Sequence, residues 1–168
     1  MPQAITVTLF LEVLKAHACI SGCGQYRYAL WRRWAPGPQV LFVMLNPSTA
    51  DQVRDDPTIR RCIGFAASWG YGSLAVANLF AYRTASPKIL MRAARPVGRA
   101  NDRWLLRLAA ESSQVIAAWG NWGGFLGRDQ QVREALAPLH ALSLTRQGQP
   151  RHPLYVKSTA RPMVWLGA

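Results

Sequence analysis

The chain has 168 residues, half of them apolar, and a net charge of +12 from 20 Lys+Arg against 8 Asp+Glu. That composition excludes a disordered or fibrous chain and fits one domain with a buried core. Seventeen of the cations are arginine and three are lysine. The bias follows either from a GC-rich codon supply or from guanidinium recognition of phosphates, which makes nucleic acid the natural polyanionic partner.

Cys19, Cys23 and Cys62 are too few for a disulfide framework and suit a reducing cytosol. Cys19 and Cys23 are spaced as metal ligands can be, but a four-ligand site would need His17 or His152 as well. No apolar run approaches the roughly 18 residues of a membrane span, and the N-terminus lacks the order of a signal peptide. The expectation is a cytoplasmic protein with no membrane partner, no metal and no cofactor. Oligomeric state is not legible.

In chain order, residues 5 to 14 mix threonine with β-branched residues, Ser21-Gly22-Cys23-Gly24 marks a turn, and Tyr26 to Arg32 alternates aromatic with basic residues. This predicts an antiparallel hairpin within residues 1–35, at a sheet edge, with its arginines and tyrosines facing nucleic acid or, the more ordinary reading, its aromatics on an apolar surface and its arginines solvated. Val40 to Leu45 is an unbroken apolar run, the pattern of a strand buried on both faces. Asn46-Pro47-Ser48-Thr49-Ala50-Asp51 follows at once, as where ligands sit beyond the carboxyl ends of parallel strands. Read locally, the same residues are a turn and helix caps.

Asp56 and Pro57 fit the N-cap and first position of a helix that carries Ile59, Cys62, Ile63, Ala66 and Ala67 and stops at Gly70. Residues 73–80 read as a second strand, ending like the first near an asparagine, Asn78. Ser86-Pro87 opens a short helix to Met91, and Asn101-Asp102 caps a longer one. Residues 114–120 form a third strand that runs into Gly120-Asn121-Trp122-Gly123-Gly124, where backbone can approach a ligand. A helix around 129–137 precedes a fourth strand at 141–144 and a basic loop, 145–155, with one histidine, His152. The fold class expected is a three-layer α/β/α sandwich with a four-stranded parallel sheet.

Asn46, Ser48 and Asp51, then Asn78, Gly120 and His152, are thus the polar stations at the carboxyl ends. No nucleophile elbow, phosphate loop, dinucleotide fingerprint or zinc-spaced set is present. An amide-rich pocket rimmed by arginine suits a planar hydrogen-bonding ring such as a nucleobase.

Cys23-Gly24-x-Tyr26-Arg27-Tyr28, Leu45 to Asp51, Asp55 to Cys62, Asn78 to Arg83 and Arg151-His152-Pro153-Leu154 resemble the bacterial DUF1643 family over nearly the whole chain. More distantly, Leu45-Asn46-Pro47-Ser48, Asn78 and His152-Pro153-Leu154 resemble, in order and station, the motifs of the uracil-DNA glycosylase superfamily. The resemblance implies a glycosylase-like fold in which Asn46 positions the attacking water and Asn78 reads the edge of an extruded base. It implies that His152 bonds the base carbonyl as negative charge gathers there, a donor worth about 3 kcal/mol in comparable sites.

Pro47, Ser48, Asp51 and Gly120 would complete the substrate site. Phe65, Phe80 and Trp69 are the stacking candidates, and Arg60, Arg61, Arg146 and Arg151 would hold phosphates of DNA or a nucleotide. Leu154 stands where the superfamily has serine, and an amide at Asn46 is no general base. The alternatives are a non-catalytic module that binds nucleic acid or nucleotide through the same pocket, and metal-assisted phosphoester chemistry at Asp51, Asp55 and Asp56.

Overall fold

Seven strands form one mixed sheet in the computed structural model, which describes residues 12–168. In chain order the elements are β1 (Lys15–Ile20), β2 (Arg27–Arg33), β3 (Gln39–Met44), α1 (Pro57–Ser68), β4 (Ser73–Asn78), α2 (Pro87–Arg92), α3 (Asn101–Ala110), β5 (Gln114–Ala117), α4 (Arg128–Leu136), β6 (Leu139–Ala141) and β7 (Met163–Trp165). The strand order is β1-β2-β4-β3-β5-β6-β7. Strands β4, β3, β5 and β6 pair parallel, while β1, β2 and β7 add antiparallel edges. The protein is therefore a mixed α/β fold.

Strand alternation divides the core in two, because successive side chains point to opposite faces. From β3, Val40, Phe42 and Met44 join Ile59, Cys62, Ile63 and Ala66 of α1 on one face. Leu41 and Val43 join Leu105 and Leu108 of α3 and Val132 and Leu136 of α4 on the other. With both faces covered, β3 and β4 must be apolar throughout, and each fully buried aliphatic there contributes about 1.5–3 kcal/mol.

Helix α1 starts as its sequence requires: the Asp56 side chain accepts from Ile59 N at 2.9 Å, and Pro57 takes the first position. Ser86 caps α2 in the same way.

Four sequence expectations are displaced. The first hairpin strand is Lys15–Ile20 rather than 5–14, and residues 5–11 lie outside the described residues. In β2, Arg27 and Arg32 are buried instead of solvated: Arg32 pairs with Asp55 at 2.8 Å and donates to the Asp51 carbonyl, tying the hairpin to the loop before α1. Asn101 is the first residue of α3 and not its cap, its side chain being drawn inward to the Asn78 and Leu79 carbonyls at 2.9 and 3.1 Å. The fourth parallel strand is Leu139–Ala141 and not 141–144. Beyond it the chain turns, so that the Ser143 carbonyl can accept from Arg151 N.

Candidate active site

The two asparagines reach one rim because the ends of β3 and β4 are sewn together past the strands. Leu79 N donates to Met44 O at 2.9 Å and Phe80 N to Leu45 O at 3.0 Å. From the other side, Arg128 Nε holds the Leu79 carbonyl at 3.0 Å beside the two bonds from Asn101. The loop at 143–151 is brought up by Gly120 N, which donates to Pro150 O at 2.7 Å. Arg61 of α1 donates to the Val156 carbonyl and so fixes the 3-10 turn Pro153–Tyr155 that follows His152.

These connections enclose a cavity of about 540 Å³ beyond the carboxyl ends of the parallel strands, within the range usual for small-ligand sites. Asn46, Pro47 and Ser48 line it from β3, Asn78 from β4, Gly120 from β5, and Arg151 and His152 from the last loop. Arg27, Asp56, Trp119, Trp122 and Tyr155 are also part of the wall.

Asn46 is half-buried, and its Nδ2 donates to the carbonyls of Thr84 (2.7 Å), Tyr82 and Pro47 (both 3.2 Å). Three acceptors around one atom settle the amide's orientation and leave Oδ1 as its free acceptor. Asn78 is 1 % exposed, and neither its Nδ2 nor its Oδ1 has a partner among the described residues. An amide buried in that way is expensive, by about 1–3 kcal/mol, unless something completes it.

His152 Nδ1 accepts from Leu154 N at 3.2 Å, so in the neutral ring the proton sits on Nε2. Burial lowers the pKa of His152 from its ordinary value, and the nearby Asp56 carboxylate partly offsets that. Asp56 supplies the carboxylate of the cavity wall, and its field also supports the charge on Arg27.

Trp119 is held in place by a relay: its Nε1 donates to Gln149 Oε1 at 2.9 Å, and Gln149 Nε2 donates to Asp129 Oδ2 at 2.8 Å. The absent side chain of Gly123 lets the glycine-rich turn lie on that indole, since a Cβ there would meet the Trp119 ring at 2.1 Å.

Other expected residues lie elsewhere. Phe65 is on the buried face of α1, stacked on Trp69 with centroids 5.5 Å apart, and Phe80 is core, against Phe125. Neither they nor Trp69 line the cavity, so the aromatic walls are Trp119, Trp122 and Tyr155. Asp51 points into its own turn, where the N–H groups of Arg54 and Val53 hold its carboxyl below the ordinary range. Arg60 sits at the surface near the Asp55 carbonyl, Arg61 serves the His152 turn, and Arg146 is exposed in the 145–148 turn outside the cavity.

The three acids of the metal alternative are separately engaged: Asp51 in its turn, Asp55 with Arg32 and Asp56 at the helix start. Among the described residues no group of three His, Cys, Asp or Glu is placed to hold a metal ion. The cysteines are all free thiols, with Cys62 in the core. No helix of the described residues is long and apolar enough to cross a membrane.

The fold and site thus define a mixed α/β protein with a ligand-sized cleft at the carboxyl ends of its parallel strands. A family model described as "Protein of unknown function (DUF1643)" matches residues 27–154, and the chain belongs to that family. No curated protein and no solved structure matches it.

Proposed function

We propose that this protein is a nucleobase-recognising, glycosylase-like hydrolase that cleaves the N-glycosidic bond of a modified or damaged base, on a uracil-DNA glycosylase-like sandwich. The observation that carries this reading is the buried, unpartnered amide of Asn78 at a cavity shared with Asn46 and His152. A carboxamide offers one donor face and one acceptor, the complement of a base edge, and an extruded base would complete both. Stacking falls to Trp122 or Tyr155, both exposed at the wall.

In this reading His152 donates from Nε2 to a base oxygen as the glycosidic electron pair moves into the ring. Asn46 Oδ1 orients a water, and Asp56 takes its proton as the water oxygen bonds to the sugar carbon. The sequence offered Asp56 as a helix cap or as one of three metal-holding acids, and not as a base in this cavity, where it lies in the wall.

Asp56→Asn separates those roles, since asparagine caps helices as well as aspartate does. The variant is expected to melt close to the parent and to lose at least a hundredfold in base release. The assay incubates protein with oligonucleotides and nucleotides carrying uracil, hypoxanthine, xanthine or 5-substituted pyrimidines and scores abasic product and free base. No product from any of them with folded parent protein removes the hydrolase reading for those bases.

A second reading, recognition without cleavage, is favoured by one observation: Asn46 spends its amide nitrogen on three carbonyls, a structural duty. It requires saturable binding that Asp56→Asn leaves intact, with no product from either protein.

A further inference from the structure

Arg27 is 2 % exposed, yet it forms no salt bridge among the described residues. Its Nη1 donates to the Ala50 carbonyl at 2.8 Å, while its Nε has no partner and the side chain lines the cavity. Burial pulls its pKa down to about 10, which still leaves a full charge at neutral pH. The strongest opposing field is that of Asp56, whose Oδ1 is already bonded by Ile59 N. A buried charge without a carboxylate or phosphate beside it is strongly unfavourable, so such a group is kept where an anion arrives.

The other orphaned atoms agree. Nine buried side-chain nitrogen and oxygen atoms of the described residues lack a partner, and four of them belong to residues that line this one cavity: Arg27 Nε, Arg151 Nε and both amide atoms of Asn78. A neutral base could complete only the amide. Completing all four takes a ligand with a base edge at one end and an anion elsewhere, which is the chemistry of a nucleotide.

We infer that the cavity is built for a nucleotide carrying a terminal phosphate monoester, with Arg27 as the anion receptor and Arg151 as a second donor. This rests on the base-binding reading of Asn78 and narrows it from any base-bearing polymer to a mononucleotide. A phosphodiester within a strand would bring a second sugar against a guanidinium that is almost wholly enclosed. A terminal phosphate brings none, and its greater charge matches the unpaired cation better.

The test measures binding of the four 2′-deoxynucleoside 5′-monophosphates, the matching nucleosides, inorganic phosphate and a 5′-hydroxyl oligonucleotide, by calorimetry and by shift in melting temperature. The parent protein is expected to bind at least one monophosphate tenfold or more tightly than its nucleoside, and to be stabilised by inorganic phosphate alone. Arg27→Gln should erase that tenfold preference, and Arg27→Lys should keep part of it.

Asn78→Ala should weaken every nucleoside and leave inorganic phosphate unaffected, so the base and anion halves fail separately. Nucleosides binding as well as monophosphates would overturn the anion receptor and leave the base reading standing. Phosphate binding with no contribution from any base would retain Arg27's role and remove the base reading. An oligonucleotide bound more tightly than every monophosphate at about 200 mM salt, where non-specific binding is weak, or no stabilisation of the parent protein by phosphate, would overturn the inference, and neither result depends on a variant folding.

Discussion

Asn78 and His152 carry opposite kinds of strain, and each is open to measurement. Asn78 keeps two polar atoms out of water with nothing in the described residues to meet them, so its apolar near-isostere should fold better. Asn78→Leu is expected to raise stability by about 1 kcal/mol or more in urea denaturation, and to abolish base binding. His152 is a base whose folded pKa is depressed below 6.5 by burial. Its contribution to stability is present in full above that ordinary value and is lost as pH falls from there through the folded pKa. Binding should follow the same course, because protonation of Nδ1 breaks the bond from Leu154 N. The parent should therefore lose affinity for a nucleoside, which carries no titrating phosphate, as pH falls through the folded pKa below 6.5, while His152→Gln, a neutral donor, should show a flat profile over that range.

At the scale of elements, the two buried strands and their asparagines were legible because an apolar run that breaks into an amide has few other readings. The cap of α1 was legible for the same local reason. Arg27 was not: it sits where β2 runs on past the end of β4, its N donating to Ala81 O, and an alternating aromatic-basic run says nothing of which arginine faces inward. Trp119, Trp122 and Tyr155 come from a strand end and two turns whose placement depends on the bonds that Gln149, Pro150 and Val156 accept from Trp119, Gly120 and Arg61. A signal existed in the glycine-rich run around Trp122, although it pointed to backbone approach and not to an aromatic wall.

Strand β7 is three residues long, below what alternation can reveal. Gly123 tests how much the glycine-rich turn shapes the cavity. Gly123→Ala would put a Cβ 2.1 Å from the Trp119 ring, so it is expected to destabilise the protein by about 1–3 kcal/mol. It should also weaken ligand binding, with tryptophan fluorescence reporting the displaced indole.

Over the whole molecule the net charge of +12 acts on any polyanion, specific or not, through release of condensed counterions. Oligonucleotide affinity should therefore fall steeply between 50 and 200 mM salt, on the order of tenfold or more. Mononucleotide affinity should change much less, since its anion meets an enclosed guanidinium that salt screens poorly. The most direct test of the central claim, that the Asn78 amide reads a base edge between Asn46 and His152, is a crystal structure with a 2′-deoxynucleoside 5′-monophosphate bound. The claim predicts both Asn78 amide atoms within hydrogen-bond distance of the ring edge and His152 Nε2 on a base oxygen. A base bound outside the cavity, or one inside it that leaves the Asn78 amide unpaired, would contradict the claim.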